Sequence, residues 1–347
     1  MKMKREMNMI KYPILKNNAM IGVTAPSSGV PSFLHDMFKQ ACDRMEKRGY
    51  QVTVGDTVWT QKKAKSAPAK VRADEFNQMM ADESIDLIIP PWGGELLIEM
   101  IEHVDFTSIK KKWILGYSDT SALMLATTLK KGIATANGIN FVDVRGECMD
   151  ETTAMWEKVL STKEGDSVLQ HSSSKYQKAW DHANPTPCIF HLTEETSWKT
   201  VSGAKEKVEG RLLGGCIDII RHLIGTPFGD VKTFRKQFIN DEPILWYFEN
   251  CEMNTTDLRR TLVQMKLAGW FEGCSGILFG RSDANDTVED YTAEDDYQDL
   301  AKDLGVPVIY DIDCGHQPPQ NTFINGAYAE VEADGEGKGT VLQHFRT

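Results

Sequence analysis

Three observations on the sequence predict an α/β fold. Short apolar runs alternate with helix-length amphipathic segments, runs such as "LIIP" and "WILG" are apolar throughout rather than at every second residue, and these runs end in Gly, Pro or Ser. Strands buried on both faces of a parallel sheet read this way, because helices cover both sides. The expected architecture is an N-terminal parallel sheet flanked by helices, flavodoxin-like, followed by a smaller C-terminal α/β domain.

The elements justify this in order. "MIGVTAPSSG" is a strand running into a loop, "FLHDMFKQACDRMEKRGY" carries apolar residues at helical spacing up to Gly49, and "QVTVGDTV" is the next strand. A polar loop, "KKAKSAPAK", precedes a helix over 71–82, and "SIDLIIPPWGG" is a buried strand closed by Pro-Pro and paired glycines. "LLIEMIEHV" reads as a helix, "KKWILGYS" as a strand, "TSALMLATTLKKG" as a helix and "IATANGIN" as a strand. From about Thr162 to Thr200 the pattern weakens into a polar stretch with isolated aromatics, read as a connector or long surface loop. "KVEGRLLGGCIDIIRHLIGTPF" opens a second unit, which contains "PILWYFENCE", "TTDLRRTLVQMKLAGWF", "SGILFG" and "VPVIYDIDCGH". It closes in "AYAEVEADGEGKGTVLQHF", a hairpin around a Gly-rich turn. The expected division is 1–165 for the N-terminal domain, 166–200 for the connector and 201–347 for the C-terminal domain.

Composition narrows the partners. The 347 residues are 41% hydrophobic and carry a formal net charge of -11, which argues against nucleic acid or an anionic membrane as a partner. The basic N-terminus lacks the sustained apolar core of a signal peptide, and no apolar run approaches a membrane span. Seven scattered cysteines without a C-x-x-C pair read as free thiols in a reducing compartment, so a cytoplasmic protein is expected.

The chemistry gathers at strand ends, where open α/β sheets bind ligands. In "LGYSDTSAL" a strand, a glycine-assisted turn, Ser118 and a helix follow one another, the layout of a nucleophile elbow; Thr120 replaces its usual final glycine. The plainer reading is a helix N-cap. A serine nucleophile needs an oriented base. Of eight histidines, His316 alone follows an apolar strand run, through Cys314 and Gly315. Glu249 ends the apolar run of "PILWYFENCE", where a carboxylate is costly without a partner, and Glu252 is the alternative acid. Gly93 and Gly94 mark a turn where backbone approaches something closely; the N–H groups of Gly94 and Asp119 are candidate oxyanion donors. No G-x-G-x-x-G follows a strand, "GEGKGT" lacks phosphate-loop spacing, "DANDTVEDYTAEDD" lacks the glycine of a calcium loop, and no ligand set accompanies "DIDCGH"; no cofactor or metal is expected.

Together "APSSG", the Gly-Gly turn, "LGYSDTSAL", "GRLLGGCIDIIRHLIGTPF", "WYFENCE", "GILFG" and "PVIYDIDCGH" occur in the order of the LD-carboxypeptidase and microcin C immunity family of serine peptidases, which the chain resembles from about Ile21 to Ala329. The resemblance implies a Ser118–Glu249–His316 triad, a site between two domains, a homodimer, and a small peptide or peptidyl-nucleotide substrate. Hydrolysis would fall on an amide next to a free carboxylate. Cell-wall members carry Arg-Gly-Gly-Tyr-Gly where this chain has Pro91 to Glu95, so Gly93 and Glu95 are candidate substrate contacts. The immunity members carry a tryptophan in the connector that stacks on adenine; Trp180 or Trp198 would take that place. Two other readings stand beside this one: an α/β-hydrolase-type esterase and a non-catalytic small-ligand-binding protein.

Overall fold

The computed structural model describes residues 9–179 and 186–347. Five parallel strands, β1 (Met20–Val23), β2 (Gln51–Val54), β3 (Leu87–Ile89), β4 (Trp113–Gly116) and β5 (Thr135–Asn137), alternate with α1 (His35–Lys47), α2 (Ala69–Ala81) and α3 (Thr120–Lys131), and α4 (Glu151–Leu160) follows. Every residue of β3, β4 and β5 is buried, which is why β3 and β4 read as continuous apolar runs. Their spatial order is β2-β1-β3-β4-β5, the flavodoxin-like order expected. Its switch point lies between β1 and β3, so the loops leaving β1, β3 and β4 open on one edge.

The second half contributes β6 (Ser167–His171), β7 (Lys175–Tyr176), β8 (Glu194–Glu195), β9 (Lys199–Thr200), β10 (Glu206–Cys216), α5 (Ile217–Ile220), α6 (Val231–Phe238), β11 (Ile244–Glu249), α7 (Thr255–Leu267), β12 (Cys274–Gly280), α8 (Ala293–Leu304), β13 (Val308–Ile312), β14 (Phe323–Asn325), β15 (Tyr328–Ala333) and β16 (Gly339–His344). The larger sheet runs β6-β16-β15-β10-β11-β12-β13-β9, parallel only from β10 to β13. Strand β10 changes character along its length. Its first residues alternate in burial beside antiparallel β15; from Arg211 to Cys216, beside parallel β11, all are buried. The β15–β16 hairpin forms as expected.

Three expectations change. The 162–200 stretch is not a plain loop: β6 adds to β16, β9 adds to β13, and β7 pairs with β8. Two-residue edge strands are too short to carry a hydrophobic period, so the sequence does not announce them. The segment Leu97–His103 forms 3-10 turns instead of an α-helix, and the Asp119 carboxylate accepts from its first N–H at 2.8 Å. Cys148 and Cys188 are joined in a disulfide, so five of the seven cysteines are free. Antiparallel β14 returns to pair with β5 and ties the two halves together. Among the described residues no helix is long and apolar enough to cross a membrane.

Candidate active site

Ser118 sits between the end of β4 and the start of α3 at φ 63°, a left-handed conformation that costs a non-glycine residue on the order of 1–3 kcal/mol. Tyr117 and Asp119 on either side are buried, whereas Ser118 is half-exposed, so the strained turn lifts its hydroxyl out of the sheet edge. Gly93 lies directly over it: a Cβ built on Gly93 would fall 2.6 Å from Ser118 Oγ and 3.2 Å from the Asp119 nitrogen. Gly94, at φ 140°, packs against the Ser27 and Ser28 hydroxyls, and Ser28 N–H donates to Gly93 O at 3.2 Å. Glu95 is exposed beside them.

Two buried charges hold these loops. The Asp119 carboxylate accepts from Ser27 Oγ and from Leu97 N–H, so one side chain joins the turns after β1, β3 and β4. Arg72, from α2, donates to Pro26 O at 2.8 Å, Leu96 O at 2.9 Å and Glu99 Oε2 at 2.8 Å. Burial pushes the Asp119 carboxyl up to about 6, against the opposing pull of its hydrogen bonds to Ser27 and Leu97 and of Arg72. The sequence singled out Asp119 for its N–H alone and did not mark Arg72. An arginine on a helix is ordinarily a surface residue.

The second sheet brings His316 and Glu249 to this edge. Ser121, in the first turn of α3, accepts from Cys216 N–H at 3.0 Å, and the parallel register of β10 and β11 sets Cys216 beside Glu249. Glu249, fully buried, lies 2.7 Å from His316 Nδ1 through Oε2. Glu252 is exposed, its N–H donating to Asp218 Oδ1 at 3.0 Å, so of the two candidate acids Glu249 is the one that holds the imidazole. Gly315, at φ 102°, makes that approach possible; a Cβ there would fall 2.6 Å from Glu249 Oε2.

The half-exposed His316 ring meets Tyr117, the chain neighbour of Ser118, edge-on at 5.1 Å between centroids. Burial works to lower the imidazole, but the Glu249 carboxylate and the Cys251 thiol outweigh it and hold His316 well above the ordinary histidine value. Asp218, another residue the sequence did not single out, braces the loop after β11 by accepting from Cys251, Glu252 and Met253 N–H groups. Its signal is an acid enclosed by isoleucines in "CIDII", where a carboxylate needs partners.

Of the two connector tryptophans, Trp180 lies outside the described residues. Trp198 is corrected: it is buried in the core of the second sheet and donates its indole N–H to Asp313 at 2.8 Å, so it is not a stacking platform. No group of three or more His, Cys, Asp or Glu is placed to share a metal among the described residues.

A strained serine at the carboxyl edge of a doubly wound sheet, beside a carboxylate-held imidazole from a second sheet, describes an α/β hydrolytic enzyme. Comparison with known proteins gives the lineage. The LD-carboxypeptidase N-terminal domain model matches residues 21–138 and the C-terminal domain model residues 209–331, and the chain belongs to this peptidase family. It is 24% identical to a putative carboxypeptidase of Vibrio cholerae over 90% of this chain and 92% of that one. It is 22% identical to the microcin C7 self-immunity protein MccF of Escherichia coli over 97% and 98%. A probable murein peptide carboxypeptidase of Bacillus subtilis is 25% identical over 92% and 91%. Among solved structures, MccF in complex with aspartyl sulfamoyl adenosine superposes with a TM-score of 0.80 at 19% identity, over 97% of this chain and 99% of that one. An MccF-like protein from Streptococcus pneumoniae in complex with AMP gives 0.75 at 21%, over 94% and 99%.

Proposed function

We propose that the protein is a serine carboxypeptidase that hydrolyses an amide bond next to a free carboxylate, in a muropeptide or a peptidyl nucleotide of the microcin C type. The observation that carries this is the Glu249–His316 pair, 2.7 Å apart, whose imidazole meets Tyr117, the chain neighbour of a serine held at positive φ. In this reading Glu249 holds the His316 proton on Nδ1, so that Nε2 takes the proton of Ser118 as its oxygen attacks the carbonyl. The N–H groups of Gly94 and Asp119 receive the oxyanion, helped by the positive end of α3. His316 then hands its proton to the leaving amine, and water releases the acyl group from Ser118.

Family membership supports the peptidase, and similarity along nearly the whole chain to both MccF and a murein peptide carboxypeptidase supports the two substrate classes. We propose a homodimer, which sedimentation tests, and a cytoplasmic location, which fractionation tests; the Cys148–Cys188 disulfide is the observation that counts against the second. The deciding experiment offers the enzyme a peptide ending in an L-to-D bond and an aminoacyl sulfamoyl nucleoside bearing a peptide, and weighs the products. Release of a C-terminal amino acid from the first, or of the nucleoside from the second, supports the proposal and assigns the class; intact substrates in both would refute it.

A further inference from the structure

A buried cluster behind His316 has no place in the scheme above. Arg281 follows β12 and is 4% exposed; Asp313 follows β13 and is fully buried. Arg281 Nη1 donates to Asp313 Oδ1 at 2.8 Å, while Nη2 donates to the carbonyls of Gln317 and Pro319, both at 3.0 Å. These two carbonyls bracket the turn that leaves His316. The other face of the cluster belongs to the connector. Asp313 accepts from Ser173 N–H at 2.9 Å, Ser173 Oγ at 2.5 Å and Trp198 Nε1 at 2.8 Å, and the guanidinium lies 4.7 Å from the Tyr176 ring centre. Two further bonds strap the same segments together: Gln177 N–H to Pro318 O at 2.7 Å and Gln317 Nε2 to Lys178 O at 2.9 Å.

We infer that Arg281 is a positioning residue: paired with Asp313, it fixes the 317–319 backbone so that the His316 imidazole stays seated on Glu249, and it ties that seat to connector residues 173–178. The inference rests on the catalytic reading above. Its physical basis is geometric. A buried ion pair is weak evidence for stability, since desolvation offsets the Coulomb attraction. A planar guanidinium can still serve one carboxylate and two carbonyls at once, which an ammonium cannot do with the same directions.

The test compares the wild type with Arg281→Lys, and with the double variant Arg281→Met/Asp313→Leu, which leaves no orphaned buried charge if the single change fails to fold. Two quantities are read on folded protein: kcat and KM with the substrate class found above, and the titration of His316 followed by NMR. The groups facing His316 are Glu249 and Cys251 from β11 and the loop after it, Tyr117 from the nucleophile turn and Asp143, whose charge acts on it. None of them is altered. The expected result is a kcat lower by about 10- to 100-fold with little change in KM, and a His316 titration moved to lower pH as its seat on Glu249 loosens. A loss of thermal stability alone, or a lowered kcat with the His316 titration unmoved, would overturn the inference. The titration needs no turnover, so it separates failure of this inference from failure of the catalytic reading, which a fully active Ser118→Ala would reveal.

Discussion

Gly93 faces Ser118 so closely that a Cβ built on it would lie 2.6 Å from both Cβ and Oγ of the serine. Real side chains do not tolerate that approach, so Gly93→Ala must displace either Ser118 or the turn above it. A displacement of this kind predicts a kcat reduced by roughly 10²-fold, with the unfolding midpoint lowered far less than activity. Steady-state kinetics beside thermal melts check it.

The Glu249–His316 pair gives a prediction with a definite sign. The imidazole is held well above its ordinary value, chiefly by the Glu249 charge acting against burial. The proposed mechanism needs His316 neutral as general base, so it predicts that kcat/KM rises with pH through that raised value. In Glu249→Gln this acidic limb moves to lower pH, and the maximal rate falls by on the order of 10⁴-fold. Stability follows linkage. A raised histidine contributes fully below its unfolded pKa of about 6.5 and loses the contribution as pH climbs through the folded value. The variant is therefore destabilised most at pH 6, by about 1.5–3 kcal/mol, and least at strongly alkaline pH, as urea unfolding at several pH values would measure.

Asp119 acts in the same sense, in a more acidic window. Its carboxyl is pushed up to about 6 by burial, so the native state binds more protons than the unfolded state between about pH 4 and pH 6. Wild-type stability falls with rising pH across that window, by on the order of 2–3 kcal/mol. Asp119→Asn removes this slope. The same substitution keeps an acceptor for Leu97 N–H but removes the charge beside Arg72, which loosens the two loops over Ser118 and lowers kcat.

The fold was legible because its decisive signals are local. Continuous burial of β3 and β4 leaves unbroken apolar runs, and the loops after them carry Gly93, Gly94 and Ser118 in view. The pairing of Glu249 with His316 was legible for a related reason: one ends an apolar strand and the other closely follows one, where a polar residue needs a purpose. What stayed hidden is long-range. Arg72, Arg281 and Asp313 look like ordinary charges until tertiary structure buries them against backbone from distant segments. The strands of the connector were hidden because they lie at sheet edges and β7, β8 and β9 have two residues each. The link between Cys148 and Cys188 spans 40 residues, a pairing no spacing rule announces.

That link is directly countable. Alkylation of the denatured, unreduced protein should label five cysteines, and prior reduction should raise the number to seven. Closing a loop of this length stabilises a fold by at most about 4 kcal/mol in the chain-entropy account, so reduction should lower the melting temperature measurably.

Trp198 tests the corrected connector reading. With its indole N–H bound to Asp313 and its ring in the core, Trp198→Phe should cost about 1–3 kcal/mol of stability. KM for a nucleotide-bearing substrate should stay unchanged. A selective rise in that KM would return this ring to the binding site.

The account turns on the hydroxyl at the tip of β4. Hydrolysis of the preferred substrate by Ser118→Ala, on protein whose circular dichroism and melting temperature match the wild type, probes it most directly. The predicted result is a kcat reduced by at least about 10³-fold; turnover at the wild-type rate would contradict it.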